Sequence, residues 1–117
     1  MSGEMIKAVL KRPQQKAEYI EFEHTLENLQ KYVGGYIEIV PSYPMEGYLF
    51  IINEEGKFDE NCLPNINYGR NDFIAGNILV MLDGGNCELA GLPEFEAKAV
   101  MKVLDGESRN ESGRRML

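Results

Sequence analysis

The sequence is poor in the residues that catalysis and metal binding most often use. Histidine occurs once, at His24, and cysteine twice, at Cys62 and Cys87. A lone histidine with no serine, cysteine or acid paired to it in a motif reads as a surface residue. No His/Cys cluster has metal-ligand spacing, so zinc is not expected. The acids of "NEEGKFDEN" (Glu54, Glu55, Asp59, Glu60) lack the alternating ligands and late bidentate glutamate of a calcium loop, and read as a solvated turn. The glycine pairs of "VGGY" and "LDGGN" fit neither phosphate-loop pattern and are expected to break a helix and turn a hairpin. No serine sits on a nucleophile elbow. With no acid–base pair or nucleophile standing out, the chain reads as a binding protein without a cofactor rather than an enzyme.

Long apolar runs are missing as well. None approaches the roughly 20 residues of a membrane span, and "MSGEMIKAVLKRP" has no apolar signal-peptide region. A cytoplasmic protein is expected. The cysteines then read as two half-buried free thiols, with a single disulfide as the alternative. Positive charge is the third shortage: 12 Lys plus Arg stand against 19 Asp plus Glu, a net charge of −7. That balance argues against general nucleic-acid binding, because phosphates would be repelled over most of the surface. A small anion could still bind where arginines converge.

What is present fits one domain over residues 1–117, with 44% apolar and 26% charged residues. "MIKAVLKR" and "AEYIEFEH" alternate and form an expected hairpin about "RPQQK". Thr25 is a good N-cap, Leu26, Leu29 and Val33 repeat at helical spacing, and Gly34-Gly35 ends the helix. "YIEIV" and "YLFII" read as strands, the second central. Between them and the next strand, "NEEGK" is a turn in which Asn53 or Gly56 could take positive φ. Phe58 to Asn71 is the longest irregular stretch, and such stretches are often functional. "DFIAGNILVML" reads as one long strand, with Gly76 marking a bulge or a close backbone approach. "LPEFEAKAVMKVL" reads as a second helix with Pro93 at its start, a stripe of Leu92, Phe95, Ala99 and Val103, and Gly106 at its end. The order predicts an α+β fold: a mainly antiparallel sheet with two helices on one face, the second near the C-terminus.

The arginines stand out. Three of the five, Arg109, Arg114 and Arg115, fall in the C-terminal stretch 106–117. Guanidinium forks grip phosphate bidentately. Arg70 lies in the irregular stretch among Asn65, Asn67, Tyr68 and Asn71, groups able to hydrogen-bond or stack on a base. With Phe73 and Asn86 these make the candidate ligand-binding set: Arg109, Arg114, Arg115, Arg70, Asn65, Phe73 and Asn86. On residue chemistry alone, a solvated loop and a frayed tail remain the alternative.

Five motifs carry a resemblance: Met5 to Val9, Thr25 to Gln30 running into Val33 to Glu38, Asn53 to Lys57, Leu63 to Asn65, and Asp72 to Gly76. In this order they resemble a family of short proteins of unknown function common in phages and mobile elements of Gram-positive bacteria. The chain departs from that pattern at Gly76-Asn77 and at "LAGLPEFE". In size and element order it also resembles the Thoeris anti-defence proteins of the first type. These are phage sponges that hold cyclic ADP-ribose isomers, and in some members cyclic oligonucleotides, without cleaving them. That resemblance implies a phage origin, no catalysis, a dimer or hexamer, a small nucleotide as partner, and an arginine-assisted pocket at a subunit interface. Two other readings stand beside it. One is an acidic, DNA-mimicking inhibitor using Glu18, Glu21, Glu23 and Glu27. The other is an interaction module of a mobile element with no small ligand.

Overall fold

A computed structural model describes residues 3–86 and 88–109. The chain runs β1 (Met5–Lys11), β2 (Glu18–Glu23), α1 (Leu26–Val33), β3 (Ile37–Pro41), β4 (Tyr48–Asn53), a 3-10 turn (Gly56–Phe58), β5 (Pro64–Asn67), β6 (Phe73–Ala75), β7 (Ile78–Asp83), β8 (Leu89–Ala90) and α2 (Glu94–Gly106). The main sheet has the order β2-β1-β7-β4-β3, antiparallel throughout, with β8 also paired to β7. β5 and β6 form a separate antiparallel pair. The fold is α+β, mainly antiparallel, with two helices.

The helices do not share a face, as the sequence had suggested. The central strands explain why. Ala8, Val9, Leu10 and Lys11 of β1 are all buried, and so are Ile78, Leu79, Val80 and Met81 of β7. Successive side chains of a strand point to opposite faces, so an unbroken buried run requires cover on both. On one face Leu29 and Val33 of α1 pack with Ala8, Leu10, Phe22, Ile51, Leu79 and Met81. On the other, Ala97, Val100 and Leu104 of α2 and Ile66 and Ile74 of the β5–β6 hairpin pack with Val9, Phe50, Ile78 and Val80.

α1 follows its sequence signals. Thr25 Oγ1 accepts from the Asn28 amide at 3.2 Å, and Gly34 closes the helix at φ 82°. Eight residues are too few for an isolated helix, so burial of Leu29 and Val33, worth roughly 1.5–3 kcal/mol each, holds it. α2 corrects the expected stripe. Leu92, Ala97, Val100 and Leu104 are buried, whereas Phe95 is 85% exposed and Ala99 is exposed. Apolar residues occur around much of this helix, so helical spacing fits two faces. Tyr48 favours the buried one, its hydroxyl meeting Glu96 Oε1 at 2.5 Å.

The expected long strand at 72–82 is two strands in two sheets. Gly76, at φ 84°, lets the chain leave β6 and enter β7. A Cβ there would lie 3.2 Å from Cys62 Sγ, so what approaches this glycine is a side chain rather than the backbone expected. At the NEEGK turn neither Asn53 nor Gly56 takes positive φ. Asn53 Oδ1 instead accepts from the Glu55 amide at 2.8 Å. Gly56 is needed for space: a Cβ would sit 2.6 Å from the Ala75 carbonyl oxygen.

Candidate functional site

That crowding under Gly56 helps build a cleft at one end of the sheet. The 3-10 turn tucks against β6, and the β5–β6 hairpin leans over the ends of β3 and β4. The cleft between them has a volume of about 400 Å³. Its floor is Val40, Ile52 and Ile74, its rim is Lys57, Phe58, Tyr68 and Phe73, and Glu38, Glu54 and Asp72 supply carboxylates. Phe58 is 87% exposed, an aromatic ring presented to solvent beside a pocket.

Phe73 organises the rim. Lys57 Nζ lies 5.2 Å and the Arg109 guanidinium 5.0 Å from its ring centroid, both within cation–π range. Asp72 pairs with Lys57 and accepts from the Phe73 amide at 2.8 Å. The hydrogen bond from Lys57 and then that from Phe73 hold its carboxyl below the usual range, although the group is largely exposed. On the opposite wall the Tyr68 hydroxyl donates to the Pro41 carbonyl at 2.6 Å. Burial, then the nearby Asp72 and Glu38, raises the Tyr68 phenol above its ordinary range, so it stays a donor at neutral pH.

Arg109 reaches Phe73 because the chain after α2 is not frayed there. The Asn67 amide donates to Glu107 O at 3.0 Å, Ser108 bridges Ile66, and the Arg109 amide donates to Asn65 O at 2.7 Å. The chain thus lies along β5 as a short added strand. Arg109 Nε is buried without a hydrogen-bond partner among the described residues.

The other expected site residues fall differently. Arg70 is exposed at the hairpin tip, where the Tyr68 amide donates to Asp72 O. Asn65 is fully buried; its amide donates to Lys11 O at 2.8 Å and Gly76 O at 2.7 Å. It ties β1, β5 and the Gly76 crossover together, and cannot face a ligand. Asn86 sits at φ 52° in the exposed β7–β8 turn, at the end of β7 away from the cleft. Arg114 and Arg115 lie outside the described residues, as does Cys87. Among the described members of the set, Phe73 and Arg109 bring their side chains together, and Asn65 meets Arg109 through the backbone alone. Lys57 and Phe58 were missed, and the only signal for them was an aromatic directly after a basic residue in a polar turn.

His24 lines a second, shallower hollow with Glu4, Lys7, Tyr19 and Glu21. Its Nε2 has no partner among the described residues, and burial pushes its pKa down. Cys62 is a free, half-buried thiol whose pKa is raised by burial and then by Asp59. A raised thiol pKa disfavours the nucleophilic thiolate. Among the described residues no three His, Cys, Asp or Glu side chains gather to hold a metal. No described helix is long and apolar enough to cross a membrane.

The family model described as "Domain of unknown function (DUF3846)" matches residues 6–105, and the chain belongs to that family. Comparisons with curated proteins and with solved structures give no match. The matched span includes every residue of the cleft but stops short of Arg109.

Proposed function

We propose that this DUF3846 member is a non-catalytic binding protein of a phage or mobile element. It acts in the host cytoplasm as a homo-oligomeric sponge for a nucleotide signal of the cyclic ADP-ribose class, or a cyclic oligonucleotide. The observation that carries the reading is the Phe73 ring with Lys57 and Arg109 within 5.2 Å of its centroid, at the mouth of a cleft of about 400 Å³. Such a rim supplies the two things a nucleotide needs: aromatic faces for the base at Phe58 and Phe73, and cations for phosphate. Glu38 and Glu54 are acceptors for an exocyclic amine or ribose hydroxyls. A compact cyclic ligand can keep phosphate on the cationic side and hydroxyls on the acidic side.

The acidic-mimic reading has weaker support. Glu18 lies on the α1 face of β2, Glu21 and Glu23 on the other, and Glu18 is engaged by Arg12 at 3.0 Å. A DNA mimic needs one dense row of charge.

The test is a thermal-melt screen against cyclic ADP-ribose isomers and cyclic di- and trinucleotides. A ligand at 100 times its Kd adds about 2.7 kcal/mol, several degrees for a domain of this size. Phe73→Ala and Arg109→Ala should each reduce the shift, and the ligand should be recovered intact. No shift with any compound, or shifts unaffected by both substitutions, refutes the cleft as a nucleotide site.

A further inference from the structure

The two edges of the main sheet are not alike. At the β2 edge, the pairing with β1 turns the backbone of Tyr19, Glu21 and Glu23 outward, so glutamates stand along it. Charged residues on an edge discourage pairing with another chain. The β3 edge has no such row. The Glu54 amide donates to Tyr36 O and the Ser42 amide to Tyr48 O, which fixes the phase of the β3–β4 ladder. Ile37, Ile39 and Pro41 therefore turn their outer backbone groups away from β4. Ile39 is 44% exposed, and Tyr36 and Tyr43 beside it are exposed too.

We propose that β3 is a homodimer seam, at which a second copy adds its own β3 antiparallel and joins the two sheets into one. The strand is self-complementary when the two-fold axis passes through Ile39. Ile39 then exchanges both backbone hydrogen bonds with its counterpart. Glu38 falls opposite Val40 of the other copy and Ile37 opposite Pro41, so no like charges face each other directly. The register centred on Glu38 would oppose two carboxylates and is disfavoured. Pro41 has no N–H and its outward carbonyl already accepts from the Tyr68 hydroxyl at 2.6 Å, so the pairing is limited to the stretch about Ile39. With strands about 4.8 Å apart, the two α1 helices, packed over β4 and β7, stay well clear of each other. A two-fold interface of this kind closes on itself and does not propagate.

The seam deepens the homo-oligomeric part of the proposed function and rests on it, but needs no ligand, so a monomer would leave the nucleotide cleft itself untouched. It also runs past the cleft, since Glu38 and Val40 line it.

The experiment is sedimentation equilibrium of the ligand-free protein and three variants, with circular dichroism as the check of fold. Ile39→Pro removes an N–H that the β3–β4 ladder does not use and is tolerated on an edge strand, and Ile39→Lys leaves the backbone intact while charging the seam. Glu21→Lys alters the other edge as a control. The wild type and Glu21→Lys should run at twice the chain mass and both Ile39 variants at once the chain mass, all with native dichroism. A monomeric wild type, a dimer that survives both Ile39 variants, or a dimer lost only in Glu21→Lys overturns the proposal. None of these outcomes depends on the melt screen.

Discussion

Replacing Lys11 by methionine should stabilise the protein at neutral pH, and the gain should vanish in alkali. Lys11 is fully buried on the α2 side of β1, and its ammonium donates to the Arg12 carbonyl at 2.7 Å. Burial lowers its pKa from 10.5 to about 8, against the opposing attraction of Asp105. The folded state therefore binds this proton less tightly than the unfolded chain does. Linkage makes stability rise with pH wherever the unfolded state holds more protons, here between pH 8 and 10.5. Below pH 8 the full cost is present, at most about 3.5 kcal/mol at roughly 1.4 kcal/mol per pKa unit. Methionine removes that cost and leaves the Arg12 carbonyl without its donor, a loss of about 1–2 kcal/mol. The net expectation at pH 7 is a gain of about 1–2 kcal/mol. By pH 10 the lysine is almost wholly neutral in the folded state while the unfolded chain still holds most of its proton, and the variant's advantage should have fallen by about 2.5 kcal/mol. Urea unfolding of both proteins at pH 7 and pH 10 measures this directly. A stability difference that is the same at both pH values would show that the amine is solvated, and the reasoning would fail.

Four further substitutions test the packing. Gly56→Ala places a methyl 2.6 Å from the Ala75 carbonyl oxygen and should cost about 1–3 kcal/mol in chemical denaturation, with loss of the cleft's shape seen as a smaller ligand-induced melt shift. Leu104→Ala should cost about 2–5 kcal/mol, whereas Phe95→Ala, at a position 85% exposed, should stay within about 0.5 kcal/mol of wild type. The reverse order would mean that α2 presents its other face to the sheet. Thr25→Ala removes the side-chain acceptor for the Asn28 amide and should cost about 1 kcal/mol in urea.

Much of the fold was legible because its signals are local. The cap at Thr25, the stop at Gly34 and the alternation in β2 depend on residues within a turn or two of one another. The fold class followed from their order. Even so, the faces were misread. An unbroken apolar run such as β7 records that both sides are buried but not which element buries each. In α2 two apolar faces compete, and only the contact of Tyr48 with Glu96 and of Leu104 with the core selects one.

The candidate site was harder to read, for a physical reason. Phe73 and Arg109 are 36 residues apart, and they meet because residues 107–109 pair with β5. No period or motif encodes that pairing. Asn65 looked like a base reader because it sits among amides and aromatics, yet it is fully buried and its side-chain N–H groups go to the carbonyls of Lys11 and Gly76. The sequence by itself determined the shortage of catalytic residues, the acidic charge, and the helix and strand types, since each depends only on composition or near neighbours. Which side chains converge, which acids share a face and which strands form the edges of the sheet were decided by the tertiary structure, because those are properties of long-range pairing and of burial on two faces at once.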